Sequence, residues 1–140
     1  MSNELPISIK IVILGSVRKH YEKIKDVIDC FTFNGFEVLS PSKANIINPN
    51  DDFVLFDTDM SDDPGILEEI VLRKMEVADI IYICNVDGYI GISVIYELGY
   101  SMGMREKIYF LEKWKESFLD EFYDDSKVID PLSLCKKLIK

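Results

Sequence analysis

The apolar residues of this chain fall into four short β-branched runs separated by stretches of helical periodicity. Residues 7 to 14, ISIKIVIL, form the first run and stop at Gly15-Ser16, as a buried parallel strand followed by a turn does. From Tyr21 the apolar positions Tyr21, Ile24, Ile28 and Phe31 recur at helical spacing. Asn34-Gly35 then supplies residues that tolerate the left-handed conformation closing a helix. Phe36 to Leu39 is a second short strand, ended by Ser40-Pro41. Together these make a β-α-β unit, whose crossover is expected to be right-handed.

Ser40 to Pro64 breaks the pattern, with Asn48-Pro49, six aspartates and one compact apolar cluster, Phe53 to Phe56. It reads as a long loop with a short element, either a cover over the strand ends or a solvated acidic excursion. After Pro64-Gly65, Leu67, Ile70, Val71, Met75 and Ala78 make one helix face, with Glu68, Glu69, Arg73 and Lys74 elsewhere. Asp79 then opens the buried strand Ile80 to Cys84, and the turn Asn85 to Gly91 leads into a helix carrying Ile95, Leu98 and Met102. Lys107 to Leu111 is the fourth strand, and Val128 to Lys140, with Leu132, Leu134, Leu138 and Ile139, suggests a terminal helix. Such an order predicts a doubly wound, Rossmann or flavodoxin-like parallel sheet flanked by helices, in one domain over residues 1–140.

Charge narrows the partners. With 25 acidic against 16 basic residues and a net charge of -9, the overall field repels polyanions, so a nucleic-acid polymer is not expected. A mononucleotide remains possible, because one phosphate can be held by an arginine and a helix N-terminus. Met1 to Pro6 lacks the features of a secretory signal and no apolar run is long enough to span a bilayer. No membrane association and a cytoplasmic location are therefore expected. Cys30, Cys84 and Cys135 are far apart with no CxxC pair, and His20 is the single histidine. That argues against a disulfide framework and a metal centre, and leaves each cysteine as a small buried hydrophobe. His20 reads as an exposed residue at a helix start.

Ligands of an open parallel sheet bind outside the carboxyl ends of its strands, and two loops qualify here. The first, Gly15-Ser16-Val17-Arg18-Lys19-His20, brings backbone N–H groups, a hydroxyl and a guanidinium to a helix start, where they can converge on an anion. It is neither a GxGxxG fingerprint nor a Walker loop, and a plain Gly-Ser turn with an exposed arginine would read the same way. The second runs from Asn85 into the next helix. There Glu97 stands between Tyr96 and Leu98 in an otherwise apolar segment, where burial without a partner is costly. Ser93, Glu97 and Tyr100 are spaced to share one face toward a pocket. An exposed helix glutamate is the alternative.

The run GYIG-x-S-x-x-x-E-L-G-Y over residues 88–100, with Ala78-Asp79 at the preceding strand start and the early Gly15-Ser16-x-Arg18 loop, resembles the nucleoside 2-deoxyribosyltransferase family. It also resembles that family's relatives, the 2'-deoxynucleoside 5'-monophosphate N-glycosidases. The resemblance implies that Glu97 attacks the anomeric carbon of the sugar and that Asp79 orients or protonates the base. It also implies that Ser16 and Arg18 hold a 5'-phosphate, that no cofactor is needed, and that the protein is a homo-oligomer whose sites neighbouring subunits complete. The transferases place an aspartate six residues before the nucleophile, whereas this chain has Gly91 there and Asp87 four residues earlier. Ser93 and the Asp87-Gly88-Tyr89 turn are the available replacements.

The expected function is cleavage of the N-glycosidic bond of a nucleoside or nucleoside 5'-monophosphate, the sugar passing to water or to another base. A carboxylate opposite the base stabilises or traps the oxocarbenium-like sugar, and a second donor near the base lowers the barrier to its departure. A nucleotide-binding or sensing module without catalysis, an NAD-like glycohydrolase with a larger groove, and an acidic interaction scaffold are the alternatives.

Overall fold

A computed structural model describes residues 8–51, 53–104 and 107–139; Ile7 of the predicted first strand and Lys140 of the predicted last helix lie outside them. The β-branched runs form four strands, β1 (Lys10–Leu14), β2 (Glu37–Ser40), β3 (Ile80–Ile83) and β4 (Lys107–Phe110), in a parallel sheet of order β2-β1-β3-β4. Four helices flank it: α1 (Val17–Phe33), α2 (Pro64–Val77), α3 (Ile92–Gly103) and α4 (Pro131–Leu138). The doubly wound α/β fold expected from the pattern is thus what the chain adopts. Among the described residues no helix is long and apolar enough to cross a membrane.

Strand alternation sorts the core into two layers. Val12, Leu14, Ile81, Ile83, Ile108 and Phe110 pack with Leu72 and Met75 of α2 and Val94 and Leu98 of α3. Ile11, Ile13, Ile80, Tyr82 and Tyr109 face the opposite side, against Ile24, Val27, Ile28 and Phe31 of α1 and Leu134 and Cys135 of α4. Pairing of Ile11 to Leu14 with Ile80 to Ile83 in register keeps like faces together. The chain leaves β1 toward β2 on one side and β3 toward β4 on the other. The topological switch therefore falls between β1 and β3, the place where open α/β sheets bind ligands.

Several boundaries differ from the sequence reading. Helix α1 starts at Val17 rather than Tyr21, because Ser16 takes the extended N-cap conformation and the first turn runs on to His20, which alone leaves helical geometry. His20 is half-buried, edge-on to the Tyr89 ring at 6.2 Å, not an exposed helix start. The cysteines split: Cys84 and Cys135 are buried while Cys30 is half-buried. Burial pushes the Cys84 thiol up to about 11, which keeps it protonated and unreactive. In the tail, Trp114 is buried and Tyr123 packs with it against Phe110, so these aromatics close the domain's own core. Phe118 and Phe122 meet edge-to-face outside it.

Asp63 begins α2 by accepting hydrogen bonds through Oδ1 from the N–H groups of Gly65 (2.8 Å) and Ile66 (3.3 Å), with Pro64 in the first turn. These occupy donors that the helix cannot satisfy itself. Asp63→Ala is expected to lower unfolding stability by about 1 kcal/mol, read as a shifted urea midpoint at unchanged slope; an unaltered midpoint would show that solvent replaces the cap.

Candidate active site

The long segment between β2 and α2 folds as a hairpin over the carboxyl ends of β1 and β2. Ile46 pairs with Phe56 in an antiparallel bridge, Ile47 N–H donates to the Leu55 carbonyl (3.0 Å) and Asp57 N–H to that of Asn45 (2.9 Å). Asn48 ties the tip, its amide donating to the Phe53 carbonyl (2.8 Å). Tyr21 of α1 anchors the base, its hydroxyl donating to the Ala44 carbonyl (2.5 Å) while accepting from the Ala44 N–H (3.0 Å). Its ring lies 5.4 Å from that of Phe56. Of the two roles this acidic stretch could have, the cover is the one it takes.

Beneath the hairpin lies a cavity of about 360 Å³, within the size range of small-molecule sites. Phe53, Val54, Phe56 and Met60 from the hairpin face Leu67, Ile70 and Val71 of α2, and the end of β1 with Gly15 and Arg18 forms the third wall. The apolar stripe predicted for α2 therefore divides. Met75 and Ala78 enter the core together with Leu72, which the predicted stripe left out, whereas Leu67, Ile70 and Val71 stay half-buried and line the cavity, with Lys74 one turn further on. Ser40, Ser42, Thr58 and Asp59 supply the remaining polar groups.

Glu97 projects from α3 into this cavity and is only 7% exposed. Its carboxyl meets that of Glu68 on α2 at hydrogen-bonding range, which two carboxyl groups reach only by sharing a proton. Burial first, then the like charge of Glu68 and the hydrogen bond to it, hold the Glu97 carboxyl well above the ordinary carboxylate range. The Glu68 Oε1 atom is buried with no hydrogen-bond partner among the described residues. Glu68 escaped the sequence reading because it sits beside Glu69 in a segment rich in charge; only the packing of α2 on α3 separates the buried glutamate from the exposed one.

Gly15, Arg18 and Glu97 are the expected site residues that the fold brings to one cavity. A side chain at Gly15 would lie 3.0 Å from the Cys84 carbonyl and 3.1 Å from Ile24, so glycine lets the ends of β1 and β3 approach. Ser16 caps α1 beside the cavity without lining it. Asp79 is a correction. It is exposed at the amino end of β3, where its Oδ2 accepts the Lys10 N–H (2.8 Å) and its own N–H bonds the Lys10 carbonyl (2.8 Å). In a parallel sheet a strand start lies at the end opposite the ligand crevice, so Asp79 staples β1 to β3 away from the cavity.

The second loop also does other work than expected. Asp87, with φ 57°, donates its N–H to Glu112 Oε2 (2.6 Å), and buried Gly88, with φ 77°, lies under the Lys113 carbonyl. Asn85 joins the same segment through a paired amide contact, donating to the Glu112 carbonyl (2.7 Å) and accepting from its N–H (3.0 Å). These residues turn toward β4, away from the cavity. Tyr89 instead reaches α1, with Lys19 Nζ 4.0 Å from its ring centre. Gly91 caps α3, and Ser93 is exposed in the first turn, so neither lines the cavity. Tyr100 donates to Glu76 of α2, which removes it from the pocket-facing set and leaves Glu97 alone of the three residues expected to share that face.

Comparison with known proteins does not assign the chain. No family model matches it, and no curated protein does. The chemistry therefore has to be read from the cavity. It combines buried Glu97 backed by Glu68, two cationic side chains, three hydroxyl side chains and an apolar slot of small-molecule size.

Proposed function

We propose that this protein cleaves the N-glycosidic bond of a nucleoside or nucleoside 5'-monophosphate, with Glu97 as the nucleophile toward the anomeric carbon. Support comes chiefly from Glu97 itself, a glutamate 7% exposed that lines a cavity at the carboxyl ends of β1 and β2. Burying a carboxyl there lowers stability, and such groups cluster where chemistry uses them. The apolar slot suits a flat base, and Arg18 beside the N-terminus of α1 suits an anion such as a 5'-phosphate. In this scheme Glu97 ionises on substrate binding and attacks C1', and water or a second base then releases the sugar. Glu68, whose carboxyl meets that of Glu97, orients the nucleophile. The scheme needs no cofactor. The subunits that the family resemblance would place beside each site belong to the same proposal, with Phe118 and Phe122 the exposed aromatics available to them.

The deciding experiment incubates the protein with nucleosides, deoxynucleosides and their 5'-monophosphates, with and without a second free base, and follows released base by chromatography. Release or exchange that disappears in Glu97→Gln is the expected result. Absence of turnover alongside nucleotide binding detected by thermal shift would favour a sensing module instead. Arg18→Ala is expected to raise KM for 5'-monophosphates by about tenfold or more, the value of one charge-assisted contact, with little change for unphosphorylated nucleosides. An equal effect on both substrate classes would remove Arg18 from phosphate recognition.

A further inference from the structure

Departure of an uncharged base requires a proton, and among the described residues the cavity has no acid placed to give it. Asp79 lies at the opposite end of the sheet. Glu68 touches the carboxyl that attacks and does not line the cavity. In an in-line displacement the nucleophile and the leaving group stand on opposite sides of C1', so a group bonded to the nucleophile is on the wrong side. Retaining glycosidases set acid and nucleophile about 5–5.5 Å apart to flank the bond, a wider gap than hydrogen-bond contact. Asp59, the other carboxyl lining the cavity among the described residues, is committed to the hairpin backbone, its Oδ2 accepting the Phe56 N–H (2.8 Å). The hydroxyls of Ser40, Ser42 and Thr58 are too weakly acidic to serve. Meanwhile Glu97, buried and backed by Glu68, makes the inner end of the apolar slot acidic.

We propose that the site is matched to N-glycosides whose base already carries positive charge, with pyridinium mononucleotides as the fitting class. This rests on the reading of Glu97 as the nucleophile at C1'. The pyridinium ring occupies the slot lined by Phe53, Phe56 and Met60, where aromatic faces favour a cation, on the side of C1' opposite Glu97, while the phosphate meets Arg18 and Lys74. A cavity of about 360 Å³ accommodates a mononucleotide rather than a dinucleotide. In the first step Glu97 Oε bonds to C1' and the C1'–N bond breaks. Its electron pair returns to the ring nitrogen, and the pyridinium leaves as a neutral pyridine with no proton added. Water then bonds to C1' as the ester C–O bond breaks, Glu97 leaves as carboxylate, and the spare proton passes to the Glu68–Glu97 pair or to solvent.

The test offers the full chain nicotinamide mononucleotide, its dihydro form, which has nearly the same shape but an uncharged ring, and AMP, CMP, dAMP and dCMP. Free base is quantified by chromatography, with Glu97→Gln as control after its folding is checked by circular dichroism. Expected is kcat/KM for the pyridinium nucleotide at least about 100-fold above each uncharged nucleotide, the lower end of what a general acid contributes, and no cleavage of the dihydro form. Cleavage of dAMP or dCMP within about tenfold of the pyridinium nucleotide, or of the dihydro form at a similar rate, overturns the inference and leaves the glycosidic reading standing. Release of base from none of them overturns both.

Discussion

Replacing Glu97 by glutamine is expected to remove turnover while making the folded protein more stable at neutral pH. Loss of the nucleophile should lower kcat by at least about three orders of magnitude, as for other covalent catalysts. The stability gain follows from linkage. The Glu97 carboxyl is held above its ordinary value in the folded state, by burial first and by Glu68 second. Below the ordinary carboxylate range the group is protonated in both states and contributes no difference. As pH rises through that range the unfolded chain ionises while the folded one keeps its proton, so the wild type loses stability progressively up to the raised folded value. Glutamine does not ionise, and its amide can donate to Glu68. The variant's advantage should be absent near pH 4 and reach on the order of 2 kcal/mol at pH 7, read from urea midpoints at the two pH values. A variant less stable at pH 7, or a gap that does not change with pH, would mean that Glu97 is not a buried acid.

On the proposed mechanism the same linkage sets the pH dependence of catalysis: attack on C1' requires ionised Glu97, and kcat/KM reports the free enzyme. It should therefore climb with pH across the neutral range, following the raised Glu97 value. A substrate that brings positive charge to the acid pair lowers that value in the complex, so kcat should level off at a lower pH than kcat/KM. Coincident profiles would argue that binding does not alter the charge on the pair.

How much of this was legible beforehand depends on what each signal encodes. The strands were readable because Ile11 to Leu14, Ile80 to Ile83 and Ile108 to Phe110 are buried by helices on both faces, which demands unbroken apolar runs. Glu97 was readable by incongruity, one acid in an apolar helix. Asp79 was misplaced although strand polarity was available: a residue at a strand start belongs to the end of a parallel sheet opposite its ligand crevice. Glu68 was not readable, and the stretch over the cavity was readable only as one of two alternatives, a cover or a solvated excursion. Whether Glu68 or Glu69 is buried depends on how α2 rolls against α3, and Phe53, Phe56 and Met60 carry no periodicity, because their partners are distant in sequence. The run around Gly88 and Tyr89 resembled a sugar-contacting turn, yet its glycine is needed for backbone geometry alone.

Gly88→Ala should therefore show the largest loss of stability of any single methyl addition considered, about 3 kcal/mol, without touching the cavity. Two separate terms add there. Gly88 has φ 77°, in the left-handed region, where an L side chain meets its own backbone at about 1–2 kcal/mol. A β-carbon at this position would also sit 2.6 Å from the Lys113 carbonyl oxygen, an overlap with main chain that no rotamer change relieves and that costs a further 1–3 kcal/mol or so. Yielding is difficult, since the Lys113 segment is held by Asn85 on Glu112 at 2.7 and 3.0 Å and by the buried Trp114 ring. The neighbouring Asp87 at φ 57° is an internal comparison: it shares the left-handed geometry but already carries a side chain. Asp87→Gly should thus relieve strain and cost little, against the large drop for Gly88→Ala. Denaturant unfolding of the pair checks this, and a Gly88→Ala protein within about 0.5 kcal/mol of wild type would show that the loop and the Lys113 segment move apart freely in solution.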